Sequence, residues 1–288
     1  MDFIPKLLFW SMQKMYKKIS VFLIALAISF SGYASAVDTV LTYSPSMKKN
    51  IKAVVITPDT YKKKENFPVL YMLHGYSGNY GQIINYAPDL RKYADDYGIV
   101  IVCPDGNYGS WYFDSPIDSS WRYETYVAKE LVQWIDSHYK TNKSRTARAI
   151  TGLSMGGHGA LYLSFRHQDV FGAAGSMSGG VDFTPFPLNW DIAKRLGSYS
   201  EHEDVWQKNT VINLTHLLIN NSLTLIIDCG TEDFFYKVNL KLHEKLLYEN
   251  ISHDFITRAG GHNGEYWQKA IQYQVFFFHN YFEQSSNH

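Results

Sequence analysis

Ser154 stands in Gly152-Leu153-Ser154-Met155-Gly156-Gly157, a G-x-S-x-G string. A serine held on a sharp strand-to-helix turn takes up backbone angles that only small neighbours permit, which accounts for a glycine two residues to either side. Such a turn exposes the hydroxyl, and the hydroxyl becomes a nucleophile only if a base removes its proton and a carboxylate orients the base. In elbows of this kind the partners follow in the order serine, acid, histidine. Of the 11 histidines, His138, His167, His202, His216, His243 and His253 lie in polar helical or loop stretches, and His279 and His288 lie near the C-terminus. His262, in Gly260-Gly261-His262-Asn263-Gly264 after the last apolar strand pattern, is the expected base. The acid belongs to Asp228-Cys229-Gly230-Thr231-Glu232-Asp233. Asp233 is favoured there, Glu232 is the fallback, and Asp228, still inside the strand pattern, reads as structural. A tetrahedral intermediate needs donors for its oxyanion. The Met155 amide is one, and the Tyr76 amide in His74-Gly75-Tyr76-Ser77-Gly78 is chosen as the second. His74, at a strand end before the serine, is read as a hydrogen-bonded structural residue.

These groups meet only if a sheet brings loops together. Short apolar runs at 52–56, 69–73, 99–103, 149–151, 173–177, 223–228 and 254–257 read as strands, and 83–97, 124–139, 155–166, 236–249 and 265–282 read as helices. Val69 to Leu73, Ile99 to Val102 and Leu223 to Ile227 are continuously apolar rather than alternating. Strands buried on both faces have that pattern, so the class is α/β, with a mainly parallel sheet and helices on both sides. The stretch 181–221, with Pro185, Pro187 and Trp190, breaks the rhythm and is expected to be a lid-like insertion over one face. In such sheets ligands sit beyond the carboxyl ends of the strands, where the elbow, the acid loop and the histidine loop all fall.

The ordered motifs resemble the Putative esterase family of α/β-hydrolases, the esterase D or S-formylglutathione hydrolase-like group, across roughly Val54 to Phe282. Besides the elbow with Gly157-His158-Gly159-Ala160-Leu161, the carriers are Leu73-His74-Gly75 with Ser77-Gly78, Pro104-Asp105-Gly106, and Trp111-Tyr112-Phe113-Asp114-Ser115-Pro116. Tyr123-Glu124-Thr125-Tyr126, Gly230-Thr231-Glu232-Asp233-Phe234 and Gly260-Gly261-His262 with Tyr266-Trp267 complete them. The resemblance implies an α/β-hydrolase fold with Ser154 as nucleophile, Asp233 as acid and His262 as base. Among tributyrin-type, feruloyl and other carbohydrate esterases and the mycolyltransferases, it points to a carboxylesterase acting on short or sugar-linked acyl groups such as acetyl or feruloyl. Where this group often carries an acidic and an aromatic residue after the histidine, Asn263-Gly264 stand here. Tyr123-Glu124-Thr125 resembles mycolyltransferases and keeps acyl transfer as an alternative. A catalytically silent glycan-binding module is the alternative from another class.

Composition narrows the rest. Lys and Arg number 27 against 27 Asp and Glu, which gives no reason to expect nucleic acid as a partner. Lys14, Lys17 and Lys18, the apolar run from Ile19 to Phe30 and Ala34-Ser35-Ala36 form a signal-peptide pattern, with cleavage expected after Ala36 and Met1, Met12 or Met15 as the start. The run, about 12 residues, is short of the roughly 20 that cross a bilayer. The expectation is therefore one domain over residues 37–288, secreted or periplasmic, without a stable membrane anchor. Removing 1–36 takes Lys6, Lys14, Lys17, Lys18 and Asp2 and leaves a mildly acidic protein. Two cysteines, Cys103 and Cys229, make no disulfide framework. No metal or nucleotide motif is present in the sequence, so no cofactor is expected. Aromatic residues reach 16%. Trp111, Tyr112 and Trp121, after the expected fourth strand, are candidates for stacking on an aromatic acyl group or a sugar, or for loop packing. Trp190 is a candidate cap or core residue, and Trp267 joins this group of substrate-binding candidates.

Overall fold

A computed structural model describes residues 35–218 and 222–286, so most of the leader expected at 1–36, the end of the insertion and His288 lie outside the described residues. The strands are β1 (Ala36–Ser44), β2 (Lys49–Thr57), β3 (Val69–Leu73), β4 (Val100–Pro104), β5 (Arg148–Gly152), β6 (Ala173–Met177), β7 (Thr224–Gly230) and β8 (Asp254–Arg258). They form one sheet in the order β1-β2-β4-β3-β5-β6-β7-β8. β1 with β2 and β2 with β4 are antiparallel, and the remaining neighbours are parallel.

The continuous apolar strands are continuous because each serves two cores. Val69, Tyr71 and Leu73 point into one hydrophobic cluster, while Leu70 and Met72 point into the other; Val100 and Val102 alternate with Ile101 in the same way. The second cluster is covered by α1 (Gln82–Tyr86), α2 (Leu90–Tyr97) and, later in the chain, the long C-terminal helix. The first lies under a helical run at 123–138 (α3), whose middle, Tyr126–Leu131, is π-helical, and under α4 (Met155–Arg166). The connection between β6 and β7 packs on that same face with α5 (Ala193–Leu196) and α6 (Glu203–Asn209), and it buries Phe183, Ile192, Leu196 and Trp206 completely. α7 (Tyr236–Tyr248) follows β7, and α8 (Gly264–Ser286) closes the chain.

Two local readings need correction. The helix expected at 83–97 is two helices, because Pro88 lacks the amide that a continuous helix needs and pushes Ala87 out of helical geometry, to φ −128°. β1 has no counterpart among the expected strands. It is an edge strand whose open face carries Val37, Thr39, Leu41 and Tyr43 and whose other face carries Asp38, Val40 and the buried Thr42 and Ser44, so it gives no apolar run to recognise.

Cys103 on β4 and Cys229 on β7 are buried free thiols, separated in the sheet by β3, β5 and β6. His158 on α4 is fully buried among Trp111, Phe113, Tyr162 and Phe183, with Nε2 3.0 Å from the Asn209 carbonyl. Burial lowers its pKa from 6.5 to about 4. An unfolded chain therefore takes up a proton that the fold refuses, and stability falls as pH drops from about 6.5 towards 4, by about 3 kcal/mol from this residue. The melting temperature of wild type is expected to fall more steeply over that interval than that of His158→Gln. Equal slopes would remove His158 as the cause.

Candidate active site

β5 ends at Gly152 and α4 starts at Met155, so Ser154 occupies the turn between them, with φ 56° and ψ −117°. That left-handed φ is costly for a side-chain-bearing residue, of order 1–3 kcal/mol, and persists only where the surroundings over-determine it. They do so here. The Ser154 amide donates to the Met177 carbonyl at 2.8 Å, and its own carbonyl accepts from His158 at 3.0 Å. Gly156 lies so close to β3 that a Cβ there would be 2.2 Å from the Leu73 carbonyl oxygen, and one on Gly152 would be 2.4 Å from the Gly156 oxygen.

The structure brings Ser154, His262 and Asp233 together although they come from three loops. His262 Nε2 is 2.8 Å from Ser154 Oγ, and His262 Nδ1 is 2.8 and 3.0 Å from the two Asp233 oxygens. With Nδ1–H donating to the carboxylate, Nε2 is left as the acceptor for the serine proton. The Asp233 carboxylate is sealed from solvent and also accepts from the Phe235 amide at 2.8 Å, which fixes its orientation. Glu232 is exposed, its side chain outside this line. Asp228 is committed elsewhere: it accepts twice from Arg258 Nη2, at 2.7 and 3.0 Å, and once from the Tyr266 hydroxyl. Burial pushes its pKa up against those partners. His74 is likewise committed, with Nδ1 2.8 Å from the Gly75 carbonyl and Nε2 accepting from the Gly106 amide at 2.7 Å.

The two candidate oxyanion donors lie on segments next to the same serine. Met155 is the first residue of α4, where an amide has no partner within the helix. Among the described residues neither its amide nor that of Tyr76 donates to a backbone carbonyl. The loop carrying Tyr76 is held against Ser154: the Ser77 amide donates to the Tyr108 carbonyl at 2.7 Å, and a Cβ on Gly75 would be 3.4 Å from the Ser154 Cβ.

The aromatic candidates divide. Tyr112 is fully buried, donates to the His74 carbonyl at 3.1 Å and fills the space beside Gly106 and Gly159, so it is scaffold and has no face to offer a substrate. Trp111 is also buried and supports its neighbour, with Nε1 donating to the Trp190 carbonyl at 3.0 Å. Trp121 is half-buried, its ring covered by the Arg195 guanidinium at 3.6 Å. Trp267 is buried and meets His262 edge-on at 4.9 Å, backing that ring. Trp190 is half-buried and stacks on Phe234 at 5.7 Å and 17°. Phe234, half of whose surface is open, lies on the His262 ring at 4.2 Å. Phe234 is not among the substrate-binding candidates of the sequence. Its position next to the candidate acid, in a loop beyond a strand end, was the available signal.

Glu124 is part of the scaffold: it accepts from Tyr162, Arg166 and His167 at 2.8 to 2.9 Å. Burial raises its pKa, but the hydrogen bonds from His167 and Arg166 outweigh that and hold it near 2. Among the described residues no three His, Cys, Asp or Glu side chains cluster as a metal site, and no helix is long and apolar enough to cross a membrane.

Known proteins resemble this chain along most of its length. The family described as Putative esterase matches residues 44–278. An acetyl esterase of Caldicellulosiruptor saccharolyticus is 26% identical over 249 residues, 80% of this chain and 92% of that protein. A solved ferulic acid esterase superposes with a TM-score of 0.76 at 26% identity, over 87% of this chain and 99% of its own. An S-formylglutathione hydrolase from Staphylococcus aureus shares the fold, with a TM-score of 0.74 at 21% identity over 85% and 99% of the two chains.

Proposed function

This chain belongs to the Putative esterase family and is a carboxylic ester hydrolase, and from that premise we propose that it is a serine esterase with Ser154 as nucleophile, His262 as base and Asp233 as the carboxylate behind it. The observation that carries the assignment is the 2.8 Å contact from His262 Nε2 to Ser154 Oγ, continued through Nδ1 to a buried Asp233. His262 accepts the serine proton as Oγ bonds to the ester carbonyl carbon, and Asp233 stabilises the imidazolium. The Met155 and Tyr76 amides receive the oxyanion. Collapse expels the alcohol, which takes its proton from His262, and the acyl group stays on Ser154. Water then attacks with His262 as base and releases the acid. A fluorophosphonate probe is expected to label the wild-type protein, and p-nitrophenyl acetate to be turned over. A folded wild type that does neither would overturn the assignment.

The substrates are acyl esters with short or sugar-linked acyl groups, acetyl and feruloyl being the two carried in the relatives' names. The open face of Phe234 beside His262 supports a planar acyl group among them. Phe234→Ala is expected to raise KM for methyl ferulate about tenfold, the equivalent of one lost stacking contact, and to leave p-nitrophenyl acetate within about twofold. Equal changes for both esters would count against it. Hydrolysis is preferred to acyl transfer because Glu124, in the stretch that suggests transfer, is occupied by Tyr162, Arg166 and His167. The protein is proposed to act outside the cytoplasm after cleavage behind Ala36, which would remove one residue from the end of edge strand β1.

A further inference from the structure

We propose that the side-chain contact between Tyr76 and Asp191 is a latch that positions the oxyanion loop, making the Tyr76 hydroxyl and Asp191 positioning groups for ester cleavage; the inference rests on the serine-esterase reading. The Tyr76 hydroxyl donates to Asp191 Oδ2 at 3.1 Å, joining the loop after β3 to the connection between β6 and β7. The backbone on either side of Tyr76 is held as well, the Gly75 amide donating to Gln82 Oε1 at 2.8 Å and the Gly78 amide to the Gly75 carbonyl at 3.1 Å. It is also tied at Ser77, and the Tyr76 ring rests edge-on against Tyr108 at 4.9 Å. The latch ties to a distant connection a side chain that otherwise meets its neighbour Tyr108, and whose own amide is the proposed second oxyanion donor.

The far end of the latch is built to stay in place. Trp190 and Asp191 are consecutive non-glycine residues with φ of 52° and 58°. Two left-handed residues in succession, one a tryptophan, persist only where their surroundings hold them. The Trp190 carbonyl is held by Trp111 Nε1 at 3.0 Å, and the Asp191 carboxylate is fixed by Lys194 at 2.9 Å. The Trp190 ring stacks on Phe234, which lies on His262. One strained dipeptide thus touches both sides of the reacting centre, the oxyanion loop through Asp191 and the base through Trp190 and Phe234. Burial and the hydrogen bond to Asp191 raise the Tyr76 pKa to about 12, so the hydroxyl remains a donor throughout the neutral range.

Tyr76→Phe, Asp191→Ala and Asp191→Asn separate positioning from general stability. Removing an oxyanion donor outright costs about 10²- to 10³-fold in kcat, so a loosened donor is expected to cost about tenfold. Tyr76→Phe and Asp191→Ala should each lower kcat for p-nitrophenyl acetate by about that factor and weaken inhibition by a phenylboronic acid, a tetrahedral analogue, equally, with KM within about twofold. Asp191→Asn, which keeps an acceptor oxygen, should recover most of the loss, and the Tyr76→Phe/Asp191→Ala double variant should be no worse than either single one. If wild type is active and both single variants match it in kcat and boronate affinity, or if Asp191→Asn is as impaired as Asp191→Ala, this inference alone is overturned. If wild type neither labels with fluorophosphonate nor turns over ester, the serine-esterase reading fails and takes the latch with it.

Discussion

Replacing Ser154 by alanine is expected to lower kcat for p-nitrophenyl acetate by roughly 10⁴- to 10⁶-fold while moving the melting temperature by no more than about 2 °C. The chemical loss is large because a nucleophile and its base act as a unit: without Oγ, His262 has no proton to remove and the acyl group nowhere to go. The structural loss is small because the elbow is held by the Ser154 backbone, whose amide and carbonyl bond to Met177 and His158 irrespective of the side chain. The residual rate should reflect water placed among the Met155 and Tyr76 amides and should be insensitive to fluorophosphonate. A Ser154→Ala protein that retained more than about a tenth of wild-type kcat would eliminate Ser154 as nucleophile, whatever its distance from His262.

A substitution two residues away is expected to act by another route, through the fold. The Cβ of Gly156→Ala would be 2.2 Å from the Leu73 carbonyl oxygen and 2.6 Å from that of His74, distances that bonded neighbours in a strand cannot yield to locally. α4 must move away from β3, and it carries Ser154 and Met155 with it, while Tyr76 stays with β3. The expected cost is about 3 kcal/mol, roughly 6–12 °C in Tm for a chain of this size, with kcat reduced because nucleophile and second oxyanion donor separate. Gly261→Ala, beside the base, is the contrast: its Cβ meets nothing nearer than 3.7 Å and should leave Tm almost unchanged. If Gly156→Ala melted like wild type, the close approach of α4 to β3 could not be what fixes the elbow.

The candidate site was largely legible in the sequence because its parts sit at abrupt changes of pattern. Apolar strands end at Gly152, Gly230 and Arg258, and Ser154, Asp233 and His262 follow within a few residues of each. The choice of Asp233 over Glu232 depended only on reach across a short loop, and the geometry has Asp233 buried towards the imidazole with Glu232 in solvent. The aromatic residues were less legible. Neighbours such as Trp111 and Tyr112 are alike in composition and period, and their different tasks are set by partners far along the chain, Trp190 for one and the His74 carbonyl for the other. Phe234 and Asp191 were missed for the same reason: each acts through a residue on another loop, and single-residue types carry no record of that. β1 was missed because an edge strand with one wet face lacks the apolar run that marked the inner strands.

The two thiols have a use of their own. Burial pushes the Cys103 pKa to about 12 and raises that of Cys229, so both remain protonated and shielded while the sheet is intact. Since the thiolate is the nucleophile that attacks an alkylating reagent, reaction must wait for a strand to separate from its neighbours. Cys103 lies on the β2–β4–β3 side of the sheet and Cys229 on the β6–β7–β8 side. Mass-resolved alkylation therefore gives two clocks, one for the loosening of each flank, in a protein whose covalent framework is the same in oxidising and reducing surroundings.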